Sequence, residues 1–462
     1  AAAPVGPPHN RWLMRVTATA FVILLGINTW LLFFYDSPPV NDSTTVPHWS
    51  DRGGADNPLS VFFTELQHTS FKDFNNLSAA ERSAADGSEE AGRTFLASQT
   101  ATFAAIDKLL ASDPSTWQWP GGDAIASFTS PLDHALQMVT IINILRLKSR
   151  MLCRDKEFSL ATELGLSLAK LGHGLSLSEG LSLHHLVAVR AHTTAFTLLE
   201  QTLSDGDAPD DVLKAAQAHL THFPTASRAA FAFALQGEYL SFKRILPQVS
   251  REGLGKLSDG TTPGPAFLGH RIKPNQTLTL YLTHTQPLLE CLDQSWLAAF
   301  SVQQRLDQDL ARLRNEAKNL SCYMDANFGG KALLLISLPV TARVLERCMM
   351  SEAWHGEVLI MIGMRRFELQ HGRLPDKLDE LVPDYLATVP EDPFNRVPLR
   401  WNSEFKAVYS LGSNCTDEGG AIDSLKRSNG KDMGGYYWWS AEAKSAREQR
   451  ERDSELQAAK DS

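Results

Sequence analysis

Hydrophobic positions fall along this chain in three regimes. The first is one continuous run: Val16 to Tyr35 reads VTATAFVILLGINTWLLFFY, twenty residues without a charged side chain. A helix of that length rises about 30 Å, the depth of a bilayer's hydrocarbon layer. Arg11 and Arg15 precede it and Asp36 follows. The positive-inside bias therefore sets residues 1–15 in the cytoplasm, a transmembrane helix at 16–35, and the rest of the chain outside. Trp12, Trp30 and Tyr35 stand near the ends of the run, where amphipathic rings favour the interface. A cleaved signal peptide is the alternative, but the run outlasts the usual apolar core of about 7–15 residues and no Ala-x-Ala site follows it.

The second regime has helical period. After a Pro-, Gly- and Ser-rich linker at 36–56, residues 57–325 read as a helical domain. From Asp133 the stretch DHALQMVTIINILRLKSRMLC carries Leu136, Val139, Ile142 and Leu145 at three-residue steps, widened by Ile141, Ile144 and Met151. A second helix, FSLATELGLSLAKLG, is expected to stop at Gly172, and a third to run from about Ser178 to Leu203. Short turns between them require antiparallel packing. Further helices are expected at 91–112, 209–221, 226–247 and 291–318, and a loop or hinge at 253–274. The style is that of tetratricopeptide hairpins, without a clean 34-residue repeat. The run Ala332–Val340 is too short to span a bilayer and reads as a buried helix start stopped by Pro339.

The third regime begins at Pro375, where prolines punctuate the chain. Short strand-like runs follow at Pro398–Trp401, Phe405–Ser410 and Tyr436–Trp439. Residues 326–440 thus form a long helix plus a small α+β C-terminal unit. Residues 441–462 are charged on every side and read as a tail. The fold class is mainly α: one N-terminal membrane helix, a multi-helix hairpin body without true repeats, and that small C-terminal unit.

Composition narrows the function. With 44 basic and 53 acidic side chains the net charge is −9, which argues against nucleic acid as a partner. Five widely spaced cysteines make no disulfide framework and no Cys-x-x-Cys zinc motif. No Gly-x-Ser-x-Gly elbow, His-Glu-x-x-His or Walker loop is present. His173, His184, His185 and His192 form the densest cluster of candidate ligands; half-buried structural histidines are the plainer reading.

The stretch from MRRFELQHGRLPDKLDELVPDYLATVPEDPFNRVPLRW to FKAVYSLGSNCTDEGG resembles the C-terminal half of the major pseudopilin of type II secretion. The matching residues are Gly372, Arg373, Leu374 and Pro375, then Asp392, Pro393 and Phe394, then Tyr409, Ser410, Leu411 and Gly412. A similar block closes a group of membrane-anchored proteins of planctomycetes and their relatives. There the pieces LRLKSRMLCRDKEFSLATELG, FALQGEYLSF and KPNQTLTLYLTH also look alike. In the pseudopilin the following acidic loop binds calcium, so the resemblance implies a structural calcium site. Asp417 would be its principal ligand, Asp423 or Asp432 the second, and Leu411 and Asn414 would supply oxygens. Glu418 is a further carboxylate nearby. Cys415, Met433 and Gly434 depart from the family pattern, and Lys426, Arg427 and Lys431 oppose a cation, so a solvated acidic turn stays open as the alternative. The chain is not itself expected to be a pseudopilin. Its membrane run has no acidic residue, and about 300 residues part that run from the block.

These readings converge on a bacterial inner-membrane protein, single-pass, with its bulk in the periplasm. It would work as a non-enzymatic scaffold that binds the bilayer through 16–35 and a protein partner through its body. An accessory subunit of a type II secretion or pilus-like machine, and an envelope hydrolase, are the alternatives.

Overall fold

The computed structural model describes residues 35–39, 41–42, 45–46, 56–69, 87–120, 132–225, 227–252, 272–316, 325–420 and 432–441, with Ile23, Ala443 and Ser445. The expected membrane helix, the loop at 253–271 and most of the charged tail therefore lie outside the described residues. No helix among the described residues is long and apolar enough to cross a membrane. The chain is mainly helical, with one small antiparallel sheet, and divides into two units.

One unit holds residues 46–238, 287–304 and 341–462. Its helices include α1 (Pro58–His68), α2 (Glu89–Ala97), α3 (Thr100–Ala111), α4 (Leu132–Arg154), α5 (Phe158–Leu177), α6 (Ser182–Asp205) and α7 (Asp210–His222). Helix α4 buries Ala135, Met138, Ile141, Ile142 and Leu145, but Leu136 is 56% exposed, so the buried stripe runs through Ala135 and Met138 rather than through Leu136. Gly172 does not stop α5. The helix continues to Leu177, and Gly172 is required by close approach: a Cβ there would meet the His192 ring at 2.8 Å. Thr162 meets Thr202, Gly165 meets Leu199 and Gly172 meets His192. The paired positions run in opposite senses, so α5 and α6 form an antiparallel hairpin, as their short connection required. Gly174 takes the same role against Trp117, whose ring atoms would lie 2.3 Å from a Cβ. Trp117 and Trp119 are fully buried and join the chain after α3 to this hairpin; Trp119 packs on Phe63 and His184. The expected helix over 91–112 is two, broken at Ser98 and Gln99.

The other unit holds residues 1–45, 239–286 and 305–340. Three more helices carry residues of the chain's middle: α8 (Arg228–Glu252), α9 (Pro274–Leu292) and α10 (Trp296–Glu316). The N-terminus of α9 is capped by Asp36, whose carboxylate accepts from the backbone N–H of Asn275 at 2.9 Å and of Gln276 at 3.2 Å. Acceptors at a helix start satisfy donors with no intrahelical partner. Asp42 then takes hydrogen bonds from Tyr239 and from Lys243. Asn327 Oδ1 accepts from the backbone of Lys273 at 2.8 Å and from Thr277 Oγ1 at 3.0 Å.

Helix α11 runs from Phe328 to His371, straight through residue 339, where a stop was expected. It ends at Gly372, which has φ of +70° and whose N–H returns to Glu368 O at 2.8 Å, three residues before the proline at 375. Strands β1 (Arg400–Asn402), β2 (Ala407–Ser410) and β3 (Met433–Tyr436) lie in that order, with Arg400 opposite Tyr409 and Val408 opposite Gly435. The third strand lies earlier than predicted: Tyr437 and Trp438 are buried in the turn after it, and Phe405 is 44% exposed rather than paired. Among the described residues no strand precedes residue 400, apart from an isolated bridge between Glu391 and Pro398.

Candidate functional site

The segment from the end of α11 to β3 carries a dense polar network among the described residues. Leu378, Leu381 and Leu386 return to the core beside Met364 and Phe367, and Leu386 sits over Gly363. This fold-back brings the Asp-Pro-Phe turn against β2. Asp392 is wholly buried. Its Oδ1 accepts from Phe394 N at 3.0 Å and Ser410 Oγ at 2.9 Å, and its Oδ2 from Leu411 N at 2.9 Å. One carboxylate thus ties the turn to the Tyr-Ser-Leu-Gly strand. Asp392 and Ser410 both belong to the motif, but their contact spans eighteen residues, so no local spacing in the sequence pairs them.

Beyond β2 the chain enters the acidic loop. Gly412–Asn414 form a single 3-10 turn, and Cys415 closes it with φ of +51°, in the left-handed region that a glycine takes most readily. Asn414 Nδ2 donates to Glu418 Oε1 at 2.9 Å. Asp417 Oδ1 accepts from Gly419 N at 2.9 Å and Tyr409 Oη at 3.2 Å, while its Oδ2 lies 3.3 Å from Arg400 Nε. Asp432 Oδ2 accepts from the N–H groups of Glu418 at 3.0 Å and Gly420 at 2.8 Å, and Glu418 Oε2 accepts from Asp432 N at 2.8 Å. Burial, then the charges of Glu418 and Asp417, push the Asp432 carboxyl up against the pull of its backbone donors. Burial and Asp417 push the Tyr409 phenol up to about 12.

Of the residues singled out for calcium, Asp417, Asp432 and Asn414 therefore meet in one loop. Leu411 adjoins it, its N–H spent on Asp392. Asp423 lies outside the described residues. Asp432 Oδ1 is buried and finds no hydrogen-bond partner, and a cation is what an orphaned carboxylate oxygen beside two further acids would accept. Arg400 on Asp417 weighs the other way. Among the described residues no three His, Cys, Asp or Glu side chains already surround a common metal position. The donor set thus fits calcium only when completed by main-chain oxygens.

The histidines are structural. His184 Nδ1 accepts from Leu181 N at 2.9 Å, His173 meets Pro224 O at 2.7 Å, and His192 stacks on Phe196. Burial lowers His185 and His355 to about 4 and takes His192 well below the usual range. Buried neutral imidazoles of this kind fill a core. Among the described residues the cysteines 153, 291, 348 and 415 are free thiols. Burial raises Cys153 to about 11 and Cys348 to about 12, which leaves both unreactive. No protein family, curated protein or solved structure matches the chain.

Proposed function

We propose that this chain is a membrane-tethered, extracytoplasmic scaffold: a helical body held to the bilayer through residues 16–35 that binds a protein partner and carries out no reaction of its own. The observation that carries the reading is Asp36. It directly follows the uncharged run and fastens to the first turn of α9 by two backbone hydrogen bonds. A body that begins at the residue directly after a membrane segment suits a tether better than a cleaved leader. The buried, core-filling histidines support a structural rather than a catalytic use of the chain's densest cluster of candidate ligands.

Calcium enters this proposal as a structural clamp on 411–432, with Asp417 as its principal carboxylate, Asp423 or Asp432 as the second, and Leu411 and Asn414 supplying neutral oxygens. An ion bound only by the folded chain stabilises it by about 2.7 kcal/mol at a hundredfold excess over Kd. Thermal unfolding of the full chain in detergent should show a higher midpoint in millimolar calcium than in chelator. Asp417→Ala should lose that response. A parent midpoint indifferent to calcium leaves the solvated turn and removes the clamp. The second reading, an accessory subunit of a secretion or pilus-like machine, draws support from the bond network of Asp392 with Ser410 and Leu411, which joins the two halves of the pilin-like motif. Co-purification of the full chain with secretion components would favour it over the scaffold alone.

A further inference from the structure

A cleft of about 350 Å³ opens between α6, α11 and the start of β3. Its walls are turns of two helices, with Leu186 and Val189 on α6, Met350 and Trp354 on α11, and Met433 from the strand. These five side chains make an apolar lining. Arg190 and Arg347 stand at the same cleft, both exposed. Arg190 donates to Asn143 Oδ1 at 2.7 Å, and among the described residues neither arginine pairs with a carboxylate. A guanidinium beside apolar surface and without an anion is an unfilled half of a recognition pair.

Ser351 points to the same conclusion from inside. It lines the cleft, is 2% exposed, and its hydroxyl has no hydrogen-bond partner. Some helical hydroxyls of this unit return to the carbonyl four residues back, as Thr140 does to Leu136 at 3.0 Å and Ser204 to Glu200 at 2.7 Å, whereas Ser149 and Ser182, away from the cleft, share the unpaired state of Ser351. Ser351 does not, and a buried unpaired hydroxyl costs roughly 1–3 kcal/mol unless something else accepts its hydrogen. Glu357 lines the cleft ten residues beyond Arg347, about 15 Å along the helix.

We propose that this cleft binds a small anionic amphiphile, its carboxylate or phosphate held by Arg190 and Arg347 and its apolar body laid over Leu186, Val189, Met350, Trp354 and Met433, with Ser351 donating to the head. The volume admits roughly ten water volumes at about 30 Å³ each, which matches a chain of eight carbons and its head group. Carboxylate and phosphate heads share this chemistry, so both are tested.

The full chain in lipid nanodiscs is titrated calorimetrically with octanoate, octyl phosphate and octanol, with empty nanodiscs as the blank for partition. One of the two anions should bind one-to-one and at least tenfold more tightly than octanol, the tighter one naming the head group. Arg347→Gln and Arg190→Gln, at exposed positions that leave the fold alone, should remove that preference. Leu186→Trp should abolish binding by filling the apolar half. Equal affinity for octanol, no saturable binding of either anion, or full binding by Arg347→Gln or Leu186→Trp overturns the proposal.

Discussion

Asp392 is the residue on which the C-terminal unit most depends. Its carboxylate satisfies two buried N–H groups and a hydroxyl that have no water to turn to. Asp392→Ala leaves all of them unpaired, and the loss should reach about 3 kcal/mol, read as a lower urea midpoint at unchanged slope. Titration makes a second prediction at this scale. His185 and His355 stay neutral in the folded chain to about pH 4, whereas in the unfolded chain they take a proton near pH 6.5. Above 6.5 the two states bind protons alike and stability is untouched. As pH falls from 6.5 to 4 the unfolded chain gains protons that the folded one refuses, and stability is lost, by roughly 3 kcal/mol for each residue. Glu238 and Glu352, raised by burial, oppose the fall in its acid part. The melting midpoint should drop between pH 7 and pH 5, and His355→Gln, which keeps a donor for Leu220 O, should drop less. Parallel drops in parent and variant would remove His355 from the account.

Among the elements, the α5–α6 hairpin shows what a helix face asks of its glycines. Gly174→Ala puts a methyl where Trp117 lies, and such overpacking costs about 1–3 kcal/mol. Circular dichroism should find helix content kept and the melting midpoint lowered. That glycine, like Gly172, could not be read correctly from the chain alone. A glycine inside an apolar pattern signals a stop or a close approach equally well, and only the partner, Trp117 or His192, decides. Gly372 was legible because periodicity ends there and Pro375 follows. Most helices of the body were legible because burial on one side imposes the 3.6-residue spacing, but α1 and α9 were not placed and the helix expected at 291–318 begins only at Trp296. The break at Ser98 and Gln99 escaped, since neither residue is a strong breaker. Strand β3 was misplaced for a physical reason: Gly434 and Gly435 carry no strand propensity, yet a Cβ at Gly434 would stand 2.1 Å from Val408 O. Of the acidic loop, Asp417 and Asp432 could be chosen from composition. The burial of Asp432 and its orphaned oxygen could not, because they depend on Glu418 and Gly420, more than ten residues away, closing on the carboxylate.

For the whole molecule, the proposed anchoring by residues 16–35, with the body outside the cytoplasm, governs the rest. The exposed Glu404 in the turn between β1 and β2 offers a reporter away from the core. Glu404→Cys, in a Cys415→Ser background that removes the one exposed thiol among the described residues, is treated in intact cells with a membrane-impermeant maleimide after the outer membrane is made permeable. The account predicts labelling of the membrane-bound chain before lysis, above the level of the Cys415→Ser parent. Labelling that emerges only after the inner membrane is broken would contradict it.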